Sequence, residues 1–265
     1  MIDVNACSGN WIFRTLPESS PESLYQKLKA EGIDNAFVSS IEGIFFDEPQ
    51  LANEKLFSEI KDIPFFLLVA VINPKLANWE KSLKVCCENY NIQAIKLYPN
   101  YHLYNLDDDH AQRLIALAGE RDLTVIVQLR VQDTRAQNPL CLVPDVDIAS
   151  VIKVAGKIKG TRFVIGGIKY NEAQSMAKQI TELDNVWIDI SNVEYMDVLR
   201  RLINLYGTRQ ILFGTHAPFF VIRSAILKLK EACLTEQEHG SITKYNTIEA
   251  FSSSFSDRYN FSRQR

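Results

Sequence analysis

One pattern constrains this chain more than any other: a short apolar run that breaks into small or polar residues, then a loop, then a stretch with helix-start chemistry, repeated eight times along 265 residues. The runs are Met1 to Cys7, Ile33 to Ser39, Pro64 to Ile72, Gln93 to Tyr98, Leu123 to Arg130, Thr161 to Ile165, Asn185 to Ile190 and Gln210 to Gly214. Pro64 to Ile72 is apolar on both faces, which suits a strand covered on both sides by other layers. The first helix announces itself through Ser20-Pro21-Glu22, an N-cap, a proline at the first helical position and an acid in the first turn, and Gly32 ends it. Further helices are expected over 51–60, 78–90, 108–120, 144–156 and 171–183, from a capping box at Ser191-Asn192-Val193-Glu194 to Tyr206, then over 219–232 and 242–251.

Eight strand-helix units of about 30 residues favour a closed α/β (β/α)8 TIM barrel, whose usual length brackets this chain. A doubly wound open sheet would carry a glycine-rich phosphate turn after its first strand, and Asn5-Ala6-Cys7-Ser8-Gly9 is not one. There is also no Walker loop and no G-x-S-x-G elbow. A single barrel over 1–251 is expected, followed by a loose Ser- and Arg-rich tail over 252–265.

The formal net charge of -3 gives no electrostatic case for nucleic acid or an anionic membrane. Cys7, Cys86, Cys87, Cys141 and Cys233 are odd in number and lack a C-x-x-C spacing, so a reducing, cytoplasmic location is expected. No leader or transmembrane run is visible in the N-terminal residues or elsewhere. The expected partner is a small-molecule substrate, with a homo-oligomer left open.

In such a barrel the working residues sit where strands end and loops begin. Those ends are Asn5 and Cys7, Ser39, Lys96 and Tyr98, Gln128 and Arg130, Gly167 and Lys169, Asp189 and Ser191, and His216. His102, Tyr101, Trp11, Phe13 and Arg14 follow closely in loops, as pocket wall, packing or an interface. A lysine in mid-strand is costly to bury, so Lys96 either pairs with an acid or points into a polar mouth. Lys96 and Arg130 can pair with Asp189 or Asp3, or hold a substrate carboxylate or a polarised carbonyl.

With those strand ends, the chain resembles the amidohydrolase superfamily, in its branch of amidohydrolase-related hydrolases and decarboxylases. The resemblance runs from about Ile2 to Phe251 and rests on Ile2-Asp3-Val4-Asn5-Ala6-Cys7-Ser8-Gly9, Ile95-Lys96-Leu97-Tyr98-Pro99, Val125-Ile126-Val127-Gln128 and Leu212-Phe213-Gly214-Thr215-His216-Ala217-Pro218, with Asn246 near the last helix. It implies metal ligands at five places: two histidines at the end of strand one, one after strand five, one after strand six and an aspartate after strand eight. This chain has Asn5, Cys7, Gln128, Gly167 and His216 there instead. Of its four histidines, His110 and His239 are expected on helix surfaces, leaving His102 and His216 near the mouth. Catalytic zinc takes three or more N, S or carboxylate donors, so no cofactor is assigned and no metal ligand is named, with a divalent metal such as zinc as the alternative.

We therefore expect His216, Lys96 and Cys7 to carry catalysis and Asn5, Tyr98, His102, Gln128, Arg130, Lys169 and Asp189 to bind substrate. The expected reaction is hydrolysis or decarboxylation of a small anionic amide, lactone or carboxylate without a conventional metal centre, with His216 as base. The resemblance allows this, because lactonase-like relatives are thought to dispense with metal. Two alternatives stay open: a barrel that binds a ligand or partner without turnover, and an enzyme with an atypical metal site built on Cys7 and His216 with help from Gln128 or Asp189.

Overall fold

A computed structural model describes residues 1–251; the tail expected over 252–265 lies outside the described residues. Eight strands form one parallel sheet in sequence order: β1 (Ile2–Ser8), β2 (Asn35–Ser40), β3 (Phe66–Val71), β4 (Ala94–Leu97), β5 (Thr124–Gln128), β6 (Arg162–Gly166), β7 (Val186–Asp189) and β8 (Ile211–Leu212). Backbone bonds from Val4 N to Phe213 O at 3.0 Å, His216 N to Asn5 O at 2.7 Å and Cys7 N to Ala217 O at 2.7 Å join the last strand to the first. The (β/α)8 barrel expected from the sequence is the fold.

The helices between strands are α1 (Pro21–Ala30), α2 (Pro49–Ile60), α3 (Trp79–Tyr90), α4 (Asp109–Glu120), α5 (Ile148–Lys157), α6 (Tyr170–Ser175), α7 (Ala177–Thr181) and α8 (Val198–Tyr206). After β8 come α9 (Ile222–Glu231), α10 (Glu236–Gly240), a π-helical segment (Ser241–Tyr245) and α11 (Asn246–Ala250). Ser20 caps α1 by accepting from Ser23 N, as its sequence promised.

Several local readings are corrected. Ser191 and Glu194 form no capping box: α8 starts later, behind Asp197, because the backbone N–H and hydroxyl of Ser191 both go to Asp189 Oδ1. The helix after β5 begins at Ile148 behind Asp147, since Asp145 is drawn instead to Arg130 and Lys169. The stretch 171–183 breaks in two at Met176, and Phe219 and Phe220 precede α9 rather than start it.

Strand alternation sorts the barrel's apolar side chains into two bodies. Outward residues such as Ile95, Leu97, Val125, Val127, Phe163 and Ile188 pack under the helices. Inward residues Phe37, Leu67, Val69, Ala94, Ile126, Val164, Trp187 and Leu212 fill the lower barrel, closed from below by Phe251, whose ring centroid is 4.0 Å from that of Phe37. Asn246 fixes this closure by donating from Nδ2 to Thr208 O at 2.6 Å and Ile211 O at 2.8 Å. Above the apolar layers, the next inward positions are Asn5, Ser39, Lys96, Gln128 and Asp189; alternation carries Ser39, Lys96, Gln128 and Asp189 there from Phe37, Ala94, Ile126 and Trp187, while Asn5, next to inward Val4, is turned in by an irregularity in β1 between Asp3 and Ala6.

Candidate active site

The polar layer is one connected network. Lys96 sits opposite Ile126 in register, and its Nζ donates to Asn5 Oδ1 at 2.6 Å, with Ser39 Oγ at 3.4 Å and Cys7 Sγ at 3.5 Å. The other end of Asn5 donates from Nδ2 to Asp189 Oδ2 at 2.6 Å and Gln128 Oε1 at 3.2 Å. Gln128 Nε2 in turn donates to Arg130 O at 2.8 Å. Lys96 thus points into a polar mouth rather than pairing directly with an acid, and Asn5 relays between its ammonium and the Asp189 carboxylate. Gly166 permits the arrangement, because a Cβ there would lie 2.5 Å from Gln128 Oε1.

His216 follows β8 at a φ of 52°, in the left-handed region, where histidine is one of the better-tolerated side chains. Its Nε2 lies 2.7 Å from Val131 O. A carbonyl can only accept, so this contact assigns the proton to Nε2 and leaves a lone pair on Nδ1. Nδ1 is buried and has no partner among the described residues. Burial, then the charge of Lys96, pushes the pKa down from 6.5 to about 4, so the ring is neutral at pH 7. Beside it, Asp3 accepts from Thr215 N at 3.0 Å, Thr215 Oγ1 at 2.5 Å and Asn5 N at 3.0 Å, while burial raises its carboxyl to about 6.

Aromatic rings roof the network. Trp11 is central, with centroids 5.0 Å from Phe219, 5.1 Å from Phe45, 5.5 Å from Phe13 and 6.3 Å from Tyr101. Phe219 also stacks on His216 at 5.2 Å and 17°. Tyr98 lies beneath, fully buried, its hydroxyl beside Ser39 and Cys7, and burial holds it well above the usual phenol range. Trp11 and Phe13 therefore pack within this roof. His102 belongs to the roof layer: its ring lies 6.2 Å from that of Tyr98 and its Nε2 faces Gly43 O at 3.3 Å, tying the loop after β4 to the loop after β2.

Arg130 and Lys169 stand apart from Lys96. The Arg130 guanidinium pairs with Asp145 at 2.9 Å and with Glu172, and donates to Gly167 O; Lys169 pairs with the same Asp145 at 3.0 Å. The partners expected for Arg130 from the sequence, Asp189 and Asp3, are corrected to Asp145 and Glu172. Arg130 stands two residues beyond the inward Gln128, past the end of β5, and its guanidinium is turned to the loop around Gly167. Thr215 stood in the motif after strand eight without a role of its own, and nothing in the sequence marked Glu172 or the Val131 carbonyl; all three act through contacts between distant strand ends.

The buried titratable groups make stability depend on pH. His102, like His216, is pushed from 6.5 to about 4 by burial. Between those values the unfolded chain binds two protons that the folded chain refuses, so acidification destabilises. Asp3, raised from 3.8 to about 6, holds a proton in the folded chain that the unfolded chain releases, and offsets one of them. A net slope near one proton follows, about 1.4 kcal/mol per pH unit between roughly pH 6 and 4. The urea midpoint should fall over that range, and His102→Gln, which preserves a donor for Gly43 O, should flatten the decline; a midpoint constant from pH 6.5 to 4 would contradict this account.

A metal centre of the kind the resemblance implies does not fit this donor set. Asn5 and Gln128 are poor zinc ligands, Gly167 has no side chain, and Nε2 of His216 is committed to a carbonyl. Among the described residues no group of three or more His, Cys, Asp and Glu side chains is placed to hold a metal ion. The place between Asn5, Cys7 and Ser39 is taken by the ammonium of Lys96.

Comparisons with known proteins bear on what such a site does. The family model described as "Amidohydrolase" matches residues 56–251, whereas a search of curated proteins gives no match. Among solved structures, a 5-carboxyvanillate decarboxylase from Sphingomonas paucimobilis superposes with a TM-score of 0.73 at 13% identity, covering 94% of this chain and 98% of that one. A dihydroxybenzoic acid decarboxylase from Polaromonas sp. JS666, with bound manganese and the inhibitor 2-nitroresorcinol, gives 0.73 at 13% identity over 94% and 96%. A 2,6-dihydroxybenzoate decarboxylase from Rhizobium gives 0.71 at 15% identity over 94% and 98%. At these identities the likeness is one of fold.

Proposed function

The chain belongs to the amidohydrolase family, and from that premise we propose that it is a hydrolase or decarboxylase of a small anionic amide, lactone or carboxylate, working without a metal. The observation that carries the reading is the pairing of a bare, neutral imidazole nitrogen, His216 Nδ1, with a buried cation, Lys96, beneath one aromatic roof. For hydrolysis, Nδ1 takes the proton from an attacking water while Lys96 holds the oxyanion that develops on the carbonyl. For decarboxylation, Nδ1 takes a proton from a substrate hydroxyl and returns it to the carbon that bears the carboxylate; the bond to the carboxylate breaks, CO2 leaves, and the negative charge stays on the oxygen that gave the proton, where Lys96 balances it. Arg130 is withdrawn from the oxyanion role, since two carboxylates already engage it. Cys7, 3.5 Å from Lys96 Nζ, serves to place that ammonium. The aromatic carboxylates named for the neighbouring decarboxylases suit a ring-lined interior, which favours them as the substrate class.

A non-catalytic barrel is the second reading, favoured by one specific observation: Asn5, Lys96, Gln128 and Asp189 are each at most 1% exposed and bonded to one another. Purified protein, assayed with a panel of lactones, amides and aromatic carboxylates, separates these readings. Turnover that persists in chelator and ignores added manganese or zinc supports the proposal. Turnover that vanishes in chelator and returns with manganese overturns the metal-free part, and no turnover of any member leaves the non-catalytic barrel. All five cysteines are free thiols, so the reading places the protein in a reducing compartment, the cytoplasm. Among the described residues no helix is long and apolar enough to cross a membrane.

A further inference from the structure

The roofed interior is not the place where the barrel mouth is open. Loops after β5, β6 and β7 surround a cleft of about 490 Å3 on the rim, lined by Arg135, Lys169, Tyr170, Asn192, Tyr195 and Arg201 among others. Its volume falls in the range of small-molecule sites, and it lies on the face where barrels of this kind hold ligands.

Charge in the cleft is nearly cancelled by pairing. Arg135 is matched by Asp133 at 2.9 Å, Lys169 by Asp145 at 3.0 Å, and Glu194 by Lys228 at 3.0 Å. Arg201 is the exception: among the described residues its guanidinium meets no carboxylate, and its described contacts are Nε donating to Met196 O at 3.2 Å and the Tyr195 ring at 5.1 Å. Its two terminal nitrogens have no described hydrogen-bond partner, and the residue lines the cleft. The adjoining surface is aromatic: Tyr170 and Tyr195 stack with centroids 4.9 Å apart at 24°, and Tyr195 remains 58% exposed. Tyr195, stacked on the half-buried Tyr170 and with the Arg201 guanidinium over its ring, leaves an exposed aromatic edge beside an unmatched positive charge.

We propose that this cleft binds a planar aromatic monoanion of the benzoate type, its carboxylate taken bidentate by Arg201 and its ring packed against the exposed edge of Tyr195. Asn192, whose Nδ2 reaches Gly167 O at 3.2 Å, sets the back wall of the cleft. The site acts by binding alone and does not rest on turnover in the interior, so it stands or falls separately from the proposed reaction.

Calorimetric titration with benzoate tests it. Wild-type protein should show saturable binding, at least tenfold tighter than for benzyl alcohol, which lacks the charge, or cyclohexanecarboxylate, which lacks the π face. Arg201→Gln, an exposed change that leaves the core untouched, should weaken benzoate at least tenfold, and Tyr195→Ser severalfold. Lys153→Gln, which removes a cation paired with Asp107 away from the cleft, should leave binding as it was. Absence of saturable binding, equal affinity for cyclohexanecarboxylate, an unaffected Arg201→Gln protein, or an equal loss in Lys153→Gln would each overturn the proposal.

Discussion

Replacing His216 by asparagine should lower kcat by a factor of roughly 10² to 10⁴, the span that a positioned general base contributes. Asparagine is the informative choice because it tolerates the left-handed backbone at this position and brings no basic nitrogen. Its amide is shorter than the imidazole and does not reach the Nε2 position, so Val131 O loses its donor and stability should fall by about 1–3 kcal/mol. Glutamine, whose amide nitrogen does fall at the Nε2 position, keeps that donor, and both variants should lose the same activity if the loss is chemistry rather than unfolding. The wild-type rate should also keep its plateau down to about pH 4 and fall below it, where the imidazole takes up a proton and the lone pair disappears. Turnover of the asparagine protein within a few-fold of wild type, at unchanged KM, would remove His216 from the mechanism.

Lys96→Met should be the more damaging change, acting on both stability and rate. Methionine approximates the volume of the lysine stem but brings no charge, so Asn5 Oδ1 loses its 2.6 Å donor and Asp189 is left in the barrel without a nearby cation. Removing one partner of a buried ionic arrangement costs about 3–5 kcal/mol, because the other charge stays behind. The rate should fall by roughly 10² to 10³, as when one oxyanion donor is deleted. A second substitution separates the two effects. In Lys96→Met with Asp189→Asn the orphaned charge is gone, and Asn5 retains an acceptor, so much of the lost stability should return while turnover stays low. A double variant no more stable than the single, or one that regains turnover, would contradict the roles given to the pair.

How much of this was legible beforehand follows from which interactions are local. The barrel could be read because each βα unit carries its own periodicity and punctuation, and Ser20-Pro21-Glu22 starts α1 as its chemistry dictates. The polar layer was legible too: strand alternation places Lys96, Gln128 and Asp189 at inward, C-terminal positions, whereas the inward turn of Asn5 depends on an irregularity in β1 between Asp3 and Ala6. The network joining them was not. Asn5 meets Asp189 across 184 positions of sequence and His216 meets Val131 across 85, and no local pattern encodes such pairs. The misread helix start at Ser191 shows the same limit from the other side. Its spacing matched a cap, but Asp189, two residues earlier, offered the hydroxyl a buried carboxylate at 2.6 Å. Arg130 repeats the lesson, since its partner Glu172 also closes the first turn of α6 by accepting from Lys169 N at 2.8 Å.

The roof over the mouth has a kinetic meaning. Trp11, Phe45, Tyr101 and Phe219 come from four different loops and touch one another through a single indole, so a gap wide enough for a ligand requires more than one loop to move together. If the proposed reaction takes place at Lys96, arrival there should be paced by that opening, and the observed association rate should level off as ligand concentration rises instead of climbing in proportion. Apparent affinity should then be reduced by the fraction of time the roof stands closed. A barrel working in the proposed way trades speed of capture for an ammonium and an imidazole buried away from solvent.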